Sequence, residues 1–267
     1  MNGFQRYRNA WRYDGPPHLE QRLEKAEWKA LLRQGGLLVR NTYDFDSAEE
    51  TAFWYVIKDQ EQGLEELSSR VRNKIRHANN AFDYRLIGIE KLFEEAYPII
   101  KETYDDYPVK DRKMNQKVFE QYLSQCEKTT FDYWGVFDKN EGKMVGFCTV
   151  RLWDRCCEYG VTGILTRYKS NGLYPYYGLY QTMNQHYLRE RGFEYVSDSA
   201  RSITEHSHIQ QYLIGNFNFR KAYCKLEIHY NWWMRLAVRC LYPFRKIITI
   251  PKVKAILNME SMTKQKK

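Results

Sequence analysis

The sequence predicts a mixed α/β fold, and three observations carry that prediction. Apolar residues recur at helical spacing in some segments and cluster in β-branched and aromatic runs in others; the two kinds alternate from Phe82 onward; and 43% of residues are hydrophobic, 16% aromatic. That content fills one large or two small domains in 267 residues. The 22 Tyr, 13 Phe and 7 Trp supply apolar bodies with polar tips, so a mean hydropathy of -0.71 is compatible with a packed core.

The elements follow in order. In PPHLEQRLEKAEWKALLRQGG, Leu19, Leu23, Ala26, Ala30 and Leu31 are spaced for an amphipathic helix that stops at Gly35-Gly36. GLLVRNTYDF and TAFWYVIKD predict two strands joined by DSAEE. In GLEELSSRVRNKIRHANN, Leu64, Leu67, Val71, Ile75 and Ala78 make an apolar stripe, with Arg70 and Lys74 in one basic row and Arg72 and Arg76 in another. FDYRLIG predicts a strand, IEKLFEEAYPIIKETYDDY and KVFEQYLSQCEK two helices, and FDYWGVFDKNEGKMVGFCTVRLWDR a hairpin turning at Asn140-Glu141-Gly142. CCEYGVTGILT then reads as a strand, LYPYYGLYQTMNQHYLRERG as a helix ending at Gly192, and FEYVSDSA as a strand. EHSHIQQYLIG is a short helix and NFRKAYCKLEIHYN a closing strand. The organisation expected is an N-terminal helix and two-strand extension over 1–62, a core over 63–231, and a basic aromatic tail over 232–267.

Charge is unevenly placed. From Lys225 onward ten basic residues face two acidic ones, a net +8, while the other 224 residues hold 32 basic against 31 acidic, a net +1. A near-neutral body with a basic tail predicts an anionic partner surface, membrane or nucleic acid. The six cysteines lack C-x-x-C spacing, so neither a zinc site nor a disulfide framework is expected, and buried thiols in a reducing compartment are. MNGFQRYRNAW has no apolar signal core and no apolar run nears the ~20 residues of a membrane span, so a cytoplasmic protein, soluble or peripheral at the inner membrane face, is expected.

The order of elements from Phe82 matches the GNAT superfamily of N-acyltransferases. TAFWYVIKD, then LSSRVRNKIRHANN, then FDYRL resembles the entry into the second GNAT-like domain of Fem-type aminoacyltransferases, and YVSDSARSITEHSHIQQYLIGNFNFRKAYCKL resembles the last third of GNAT-like proteins from bacterial cell-envelope gene clusters. The resemblance spans about residues 36–231. It implies transfer of an acyl or aminoacyl group to a primary amine of a small, saccharide or cell-envelope acceptor. The implied co-substrate, not tightly bound, is acetyl-CoA or another acyl-CoA, with aminoacyl-tRNA the alternative donor and nucleic acid a partner only in that form.

In GNAT enzymes the coenzyme A pyrophosphate rests on backbone N–H groups over R/Q-x-x-G-x-G/A, where a strand turns into a helix. Arg167, Lys169, Ser170, Asn171 and Gly172 stand in that place in RYKSNG, with Ser170 where the first glycine would be; the same run also reads as an ordinary turn capped by Ser170 or Asn171. Pro175 fits only in a helix's first turn. For the base that takes the amine proton, the resemblance implies Glu158, with Asp198 at a strand end as competitor; either could instead cap a helix or join an ion pair. His206 and His208 fall at the mouth of the last helix, where His206 serves equally as base or cap and His208 as a core or interface residue. Tyr212 is the candidate general acid if Asn216-Phe217 stands where the family has Gly-Phe. No metal is expected.

In the tail, Trp233, Leu236, Ala237, Cys240 and Leu241 form one helical face with Arg235 and Arg239 beside it, which suits either an interfacial helix on anionic lipid or a helix packed on the body. The rival to an enzyme is a non-catalytic module binding nucleic acid or a membrane surface. A dedicated nucleic-acid binder would carry its cations across the body. The near-neutral body therefore favours the enzyme.

Overall fold

The computed structural model describes residues 3–7, 9–61, 63–106, 114–169, 171–201, 203 and 208–264. Its elements begin with β1 (Phe4–Tyr7), β2 (Ala10–Tyr13), α1 (Lys25–Arg33), β3 (Leu38–Ser47), β4 (Phe53–Lys58), α2 (Ser69–Ala81), β5 (Phe82–Ile87), α3 (Ile89–Asp105) and α4 (Gln116–Cys126). They continue with β6 (Phe131–Asp138), β7 (Met144–Leu152), β8 (Cys156–Ile164), α5 (Thr166–Lys169), α6 (Pro175–Asn184), β9 (Tyr195–Ala200), α7 (His208–Phe217), β10 (Arg220–Tyr230), α8 (Trp232–Leu241) and α9 (Pro251–Lys264). The mixed α/β class and the predicted succession of strands and helices after Phe82 are both present.

The chain forms two compact units. One comprises Met1–Val56, Ala200–Gln211 and Arg220–Lys267; the other comprises Ile57–Ser199 and Tyr212–Phe219. In the first, the strand order is β1-β2-β3-β10-β4, with β2 parallel to β3 and the β1–β2 and β3–β10 pairs antiparallel. Leu31 and Leu32 of α1 close over Phe4 and Val39, while Met234 and Val238 of α8 and Leu257 and Met259 of α9 pack with Leu38 and Tyr230. In the second unit the order is β9-β8-β7-β6-β5. β5 through β8 are antiparallel, and β8 and β9, joined through α6, are parallel as the predicted crossover requires. Leu92, Ala96, Ile99 and Ile100 of α3 and Phe119 and Leu123 of α4 bury against Tyr133, Phe137, Met144 and Phe147. The apolar stripe of α2 buries Val71, Ile75 and Ala78, and α2 packs on α6.

Some elements differ from the expectation. The first helix begins at Lys25 rather than near Leu19, because Glu24 and Glu27 form a reciprocal capping box there. The segment from Leu64 is broken in two: Leu64–Glu66 is a single 3₁₀ turn, and Ser68 caps α2 by accepting from the Val71 N–H. β1, β2, α5 and α9 were not foreseen. The helix begun by α6 ends, as expected, at Gly192 (φ 67°), but its last six residues, Gln185–Glu190, widen into a π-helical turn. Trp134 donates to the Tyr187 hydroxyl, which donates to Asp132, anchoring that turn.

One distortion positions everything that follows. Between the Cys148↔Thr162 and Val150↔Tyr159 pairs, β7 has one residue and β8 has two, so Gly160 and Val161 form a bulge. Thr149 Oγ1 fills it, accepting from the Val161 N–H at 3.0 Å and meeting the Tyr122 hydroxyl at 2.7 Å. A Cβ at position 160 would stand 2.6 Å from Thr149 Oγ1 and 3.0 Å from its carbonyl oxygen. Gly160→Ala is therefore expected to destabilise the chain by about 1–3 kcal/mol. Gly215→Ala, in α7 with open space around its Cβ, is expected to stabilise by about 0.5–1 kcal/mol. Urea unfolding of the two variants checks the opposite signs.

Candidate functional site

The parallel pair β8–β9 is short. Its register holds Cys156↔Tyr195, Cys157↔Val196 and Glu158↔Ser197 only, although β8 runs on through Ile164 and β9 through Ala200. The strands part where the bulge begins, leaving Tyr159–Ile164 of β8 beyond its last pair with β9. A bulge bends its strand and increases local twist, which gives a physical cause for the parting.

Two of the predicted catalytic residues stand at this point. Glu158 is the last residue of β8 in register with β9 and is half-buried; Asp198 is the next residue of β9 after the last pair. Asp198 keeps partial solvent access as a residue, yet its carboxyl is densely surrounded, and those surroundings govern its proton. Burial foremost, and then the Glu158 charge, push the Asp198 carboxyl well above the usual carboxylate range. The Tyr180 hydroxyl is likewise pushed up, by burial and then by Asp198, with a hydrogen bond to Thr162 acting in the opposite sense. Cys148, which accepts from the Thr162 hydroxyl at 3.1 Å, is pushed up to about 12 by burial and stays a thiol. Glu158, Asp198, Thr162 and Tyr180 thus form one neighbourhood around the parted strands.

Tyr212 joins it through Tyr180, the two ring centroids being 6.2 Å apart. Its hydroxyl is buried without a partner in hydrogen-bonding geometry; burial, and then Tyr177, push it upward, so it holds its proton. His208 opens α7 and is exposed. His206 lies outside the described residues, as does Ser170.

The expected phosphate loop is described on either side of Ser170. Arg167 and Lys169 belong to the one-turn helix α5, Asn171 Oδ1 accepts from the Leu173 N–H in a turn, and Gly172 is left-handed at φ 76°. The next helix opens only at Pro175, which occupies its first turn, after Tyr174, itself left-handed at φ 53°. Arg167 lies 3.9 Å from Glu141 and Lys169 3.7 Å from Asp106. Lys74 of α2, noted in the sequence only as part of a basic row, is the cation at the start of α6: its Nζ donates to the Tyr177 hydroxyl at 2.9 Å and lies 5.1 Å from the Tyr174 ring centre. Tyr177 in turn donates to Asn216 Oδ1 at 3.1 Å. Only the register of α2 against α6 reveals this role.

A second polar cluster braces α6. Lys58 Nζ, with its side chain only 2% exposed, lies 2.6 Å from Glu66 and 3.5 Å from Glu61, and Gln181 of α6 donates to Glu61 at 3.1 Å. Burial raises the Glu61 carboxyl, with Lys58 opposing.

Five of the six thiols are buried, while Cys240 is exposed, contrary to the reading of all six as buried. Among the described residues no group of His, Cys, Asp and Glu is placed to hold a metal, and no helix is long and apolar enough to cross a membrane.

The succession of strands and helices from Phe82 is the one expected of a GNAT-like fold. Comparison with solved structures agrees. The chain is similar to FemX (TM-score 0.53, 11% identity, covering 74% of this chain and 75% of that one). It is also similar to the C-terminal domain of a candidate lysylphosphatidylglycerol synthetase from Agrobacterium fabrum (TM-score 0.54, 12% identity, 88% and 82% covered). A tandem GNAT protein from the clavulanic acid biosynthesis pathway aligns at a TM-score of 0.48 with 11% identity, over 83% of this chain and 75% of that one. At these identities the likeness is one of fold. No known family model matches the chain, and neither does any curated protein.

Proposed function

We propose that the chain is an N-acyltransferase that moves an acyl or aminoacyl group from an activated, phosphate-bearing donor, acyl-CoA or aminoacyl-tRNA, to a primary amine. The single observation that carries this reading is the parting of β8 and β9 at Glu158, with a second carboxyl, Asp198, standing one residue past the last pair on β9. A carboxyl whose proton affinity is raised by burial and by a neighbouring charged carboxyl places a proton donor next to an acceptor. Glu158, the charged member, takes the proton of the attacking amine. Asp198 donates toward the oxygen that gains charge as the carbonyl becomes tetrahedral. As the bond from carbonyl carbon to donor sulfur or oxygen breaks, Tyr212 gives its proton to the leaving group; Glu158 releases the amine proton to solvent and Tyr212 regains one from solvent, which restores both groups. Donor phosphates lie at the start of α6, near Lys74 and the Asn171–Gly172 turn.

For the acceptor we infer the saccharide or cell-envelope class that the sequence resemblance implies. Of the neighbours in fold, one carries the name of a candidate lysylphosphatidylglycerol synthetase, which is compatible with an acceptor of the cell envelope. Thermal-shift titration of the full chain with acetyl-CoA, longer acyl-CoAs and charged tRNA tests the donor. One donor class is expected to raise the melting temperature, and Lys74→Met to weaken that donor's binding about tenfold. Gly172→Trp, which crowds the turn, is expected to abolish the shift. No shift with any donor would remove the transferase reading.

A further inference from the structure

We propose that the segment from Trp232 to Ile250 is a docking face for an anionic lipid bilayer. The first observation is exposure. Trp232 is 80% exposed, Leu236 58%, Phe244 56%, Ile247 74% and Ile250 62%, and Trp233 and Leu241 are exposed as well. More than half of the large apolar side chains exposed among the described residues fall within these nineteen positions. Apolar exposure concentrated in one short stretch of chain points to an interaction surface more than the same residues scattered singly would.

The second observation is how α8 is oriented. It buries Met234 and Val238 among Leu38, Tyr230, Leu257 and Met259. At 100° per residue, Trp232, Leu236, Cys240 and Trp233 occupy the opposite arc, with Arg235 and Arg239 along its edge. Both sides of the helix are therefore apolar, and only one of them is covered by protein in this unit. The sequence left open whether the helix packs on the body or faces lipid. The structure has it packing through Met234 and Val238 while its tryptophans stay outside.

Charge selects the occupant. Arg235, Arg239, Arg245, Lys246, Lys252 and Lys254 carry six positive charges, and no Asp or Glu occurs between Glu227 and Glu260. A second copy of the chain would oppose like charges across this face. Nucleic acid would satisfy the cations and stack on the tryptophans, but it offers nothing to Leu236, Ile247 and Ile250, which favour hydrocarbon. An anionic bilayer meets all three features: phosphates for the cations, the headgroup boundary for the tryptophans, and acyl chains for the aliphatics. No described helix is able to span, so the segment lies in the interface plane.

The test is co-sedimentation of the full chain with vesicles of phosphatidylglycerol and phosphatidylcholine, beside pure phosphatidylcholine vesicles and single-stranded RNA. Wild type is expected to bind the anionic vesicles, to bind neutral ones at least about tenfold more weakly, and to lose binding as NaCl rises. Trp232→Glu combined with Ile247→Glu is expected to lower anionic-vesicle binding at least about tenfold. Both positions are exposed, so an unchanged melting temperature confirms that the variant folds. A polarity-sensitive dye on Cys240, the one exposed thiol, reports the same event by a blue shift on adding anionic vesicles. Equal binding by the double variant, equal binding to neutral vesicles, or tighter binding to RNA that the double substitution abolishes would each overturn the proposal.

Discussion

Glu158→Gln is expected to lower the acyl-transfer rate by about 10²–10⁴-fold, the usual contribution of a positioned proton acceptor. Asp198→Asn is expected to retain much of the rate, because the carboxamide still donates a hydrogen bond, whereas Asp198→Ala is not. The pair also makes a prediction about pH. Burial and the Glu158 charge raise the folded-state Asp198 carboxyl above its unfolded value. Its contribution to stability is therefore fully present below the unfolded value of about 4 and declines as pH rises toward the folded value. Asp198→Asn removes that decline. The variant should melt above wild type at pH 7, by about 2–4 °C for each kcal/mol released, and the gain should vanish near pH 3. Glu158→Gln should recover part of the same gain by lowering Asp198 toward its ordinary range. Melting curves at pH 3 and 7, read beside turnover, separate proton chemistry from a purely structural role.

Lys58→Ala is expected to have the largest effect on stability. Lys58 and Glu61 have side chains 2% and 1% exposed, and Glu66 is mostly buried beside them. Removing the cation leaves two carboxylates without their shared partner, a loss of about 3–5 kcal/mol. The Glu61 carboxyl already sits above its ordinary value through burial, with Lys58 holding it down. Without Lys58 it rises further, so the deficit should grow as pH climbs from about 4 toward neutrality. Adding Glu61→Gln to Lys58→Ala should restore part of the loss at pH 7 and little at pH 4. Urea unfolding at the two pH values measures this. Because Gln181 of α6 donates to Glu61, the same loss should loosen the helix that carries Tyr177 and Tyr180.

Much of the second unit was legible because its elements are long and strongly periodic. The stripe of α2 and the aromatic hairpin of β6 and β7 announce themselves within single segments. The features that shape the candidate site depend on residues far apart in sequence. Gly160 inside a strand pattern is a local hint of a bulge, but its cause is Thr149 on the neighbouring strand. Glu158 and Asp198 were both candidates for the base; the raised proton affinity of Asp198 comes from burial and from the Glu158 charge, which no segment read alone contains. In the RYKSNG run, α6 opens with Pro175 in its first turn as its residue type requires, while the one-turn helix α5, which takes up Arg167 and Lys169, left no signal of its own. A cation at the start of α6 that no local pattern announced is Lys74, about a hundred residues earlier.

Amide hydrogen exchange of the full chain, with and without the donor that raises its melting temperature, tests the central claim most directly. Donor seated between the parted strands should slow exchange at Val161–Gly163 of β8 and at Asp198 and Ser199 of β9, and Glu158→Gln should keep that protection while losing turnover. Protection confined to segments away from β8 and β9, or a donor that binds without slowing exchange there, would contradict the account.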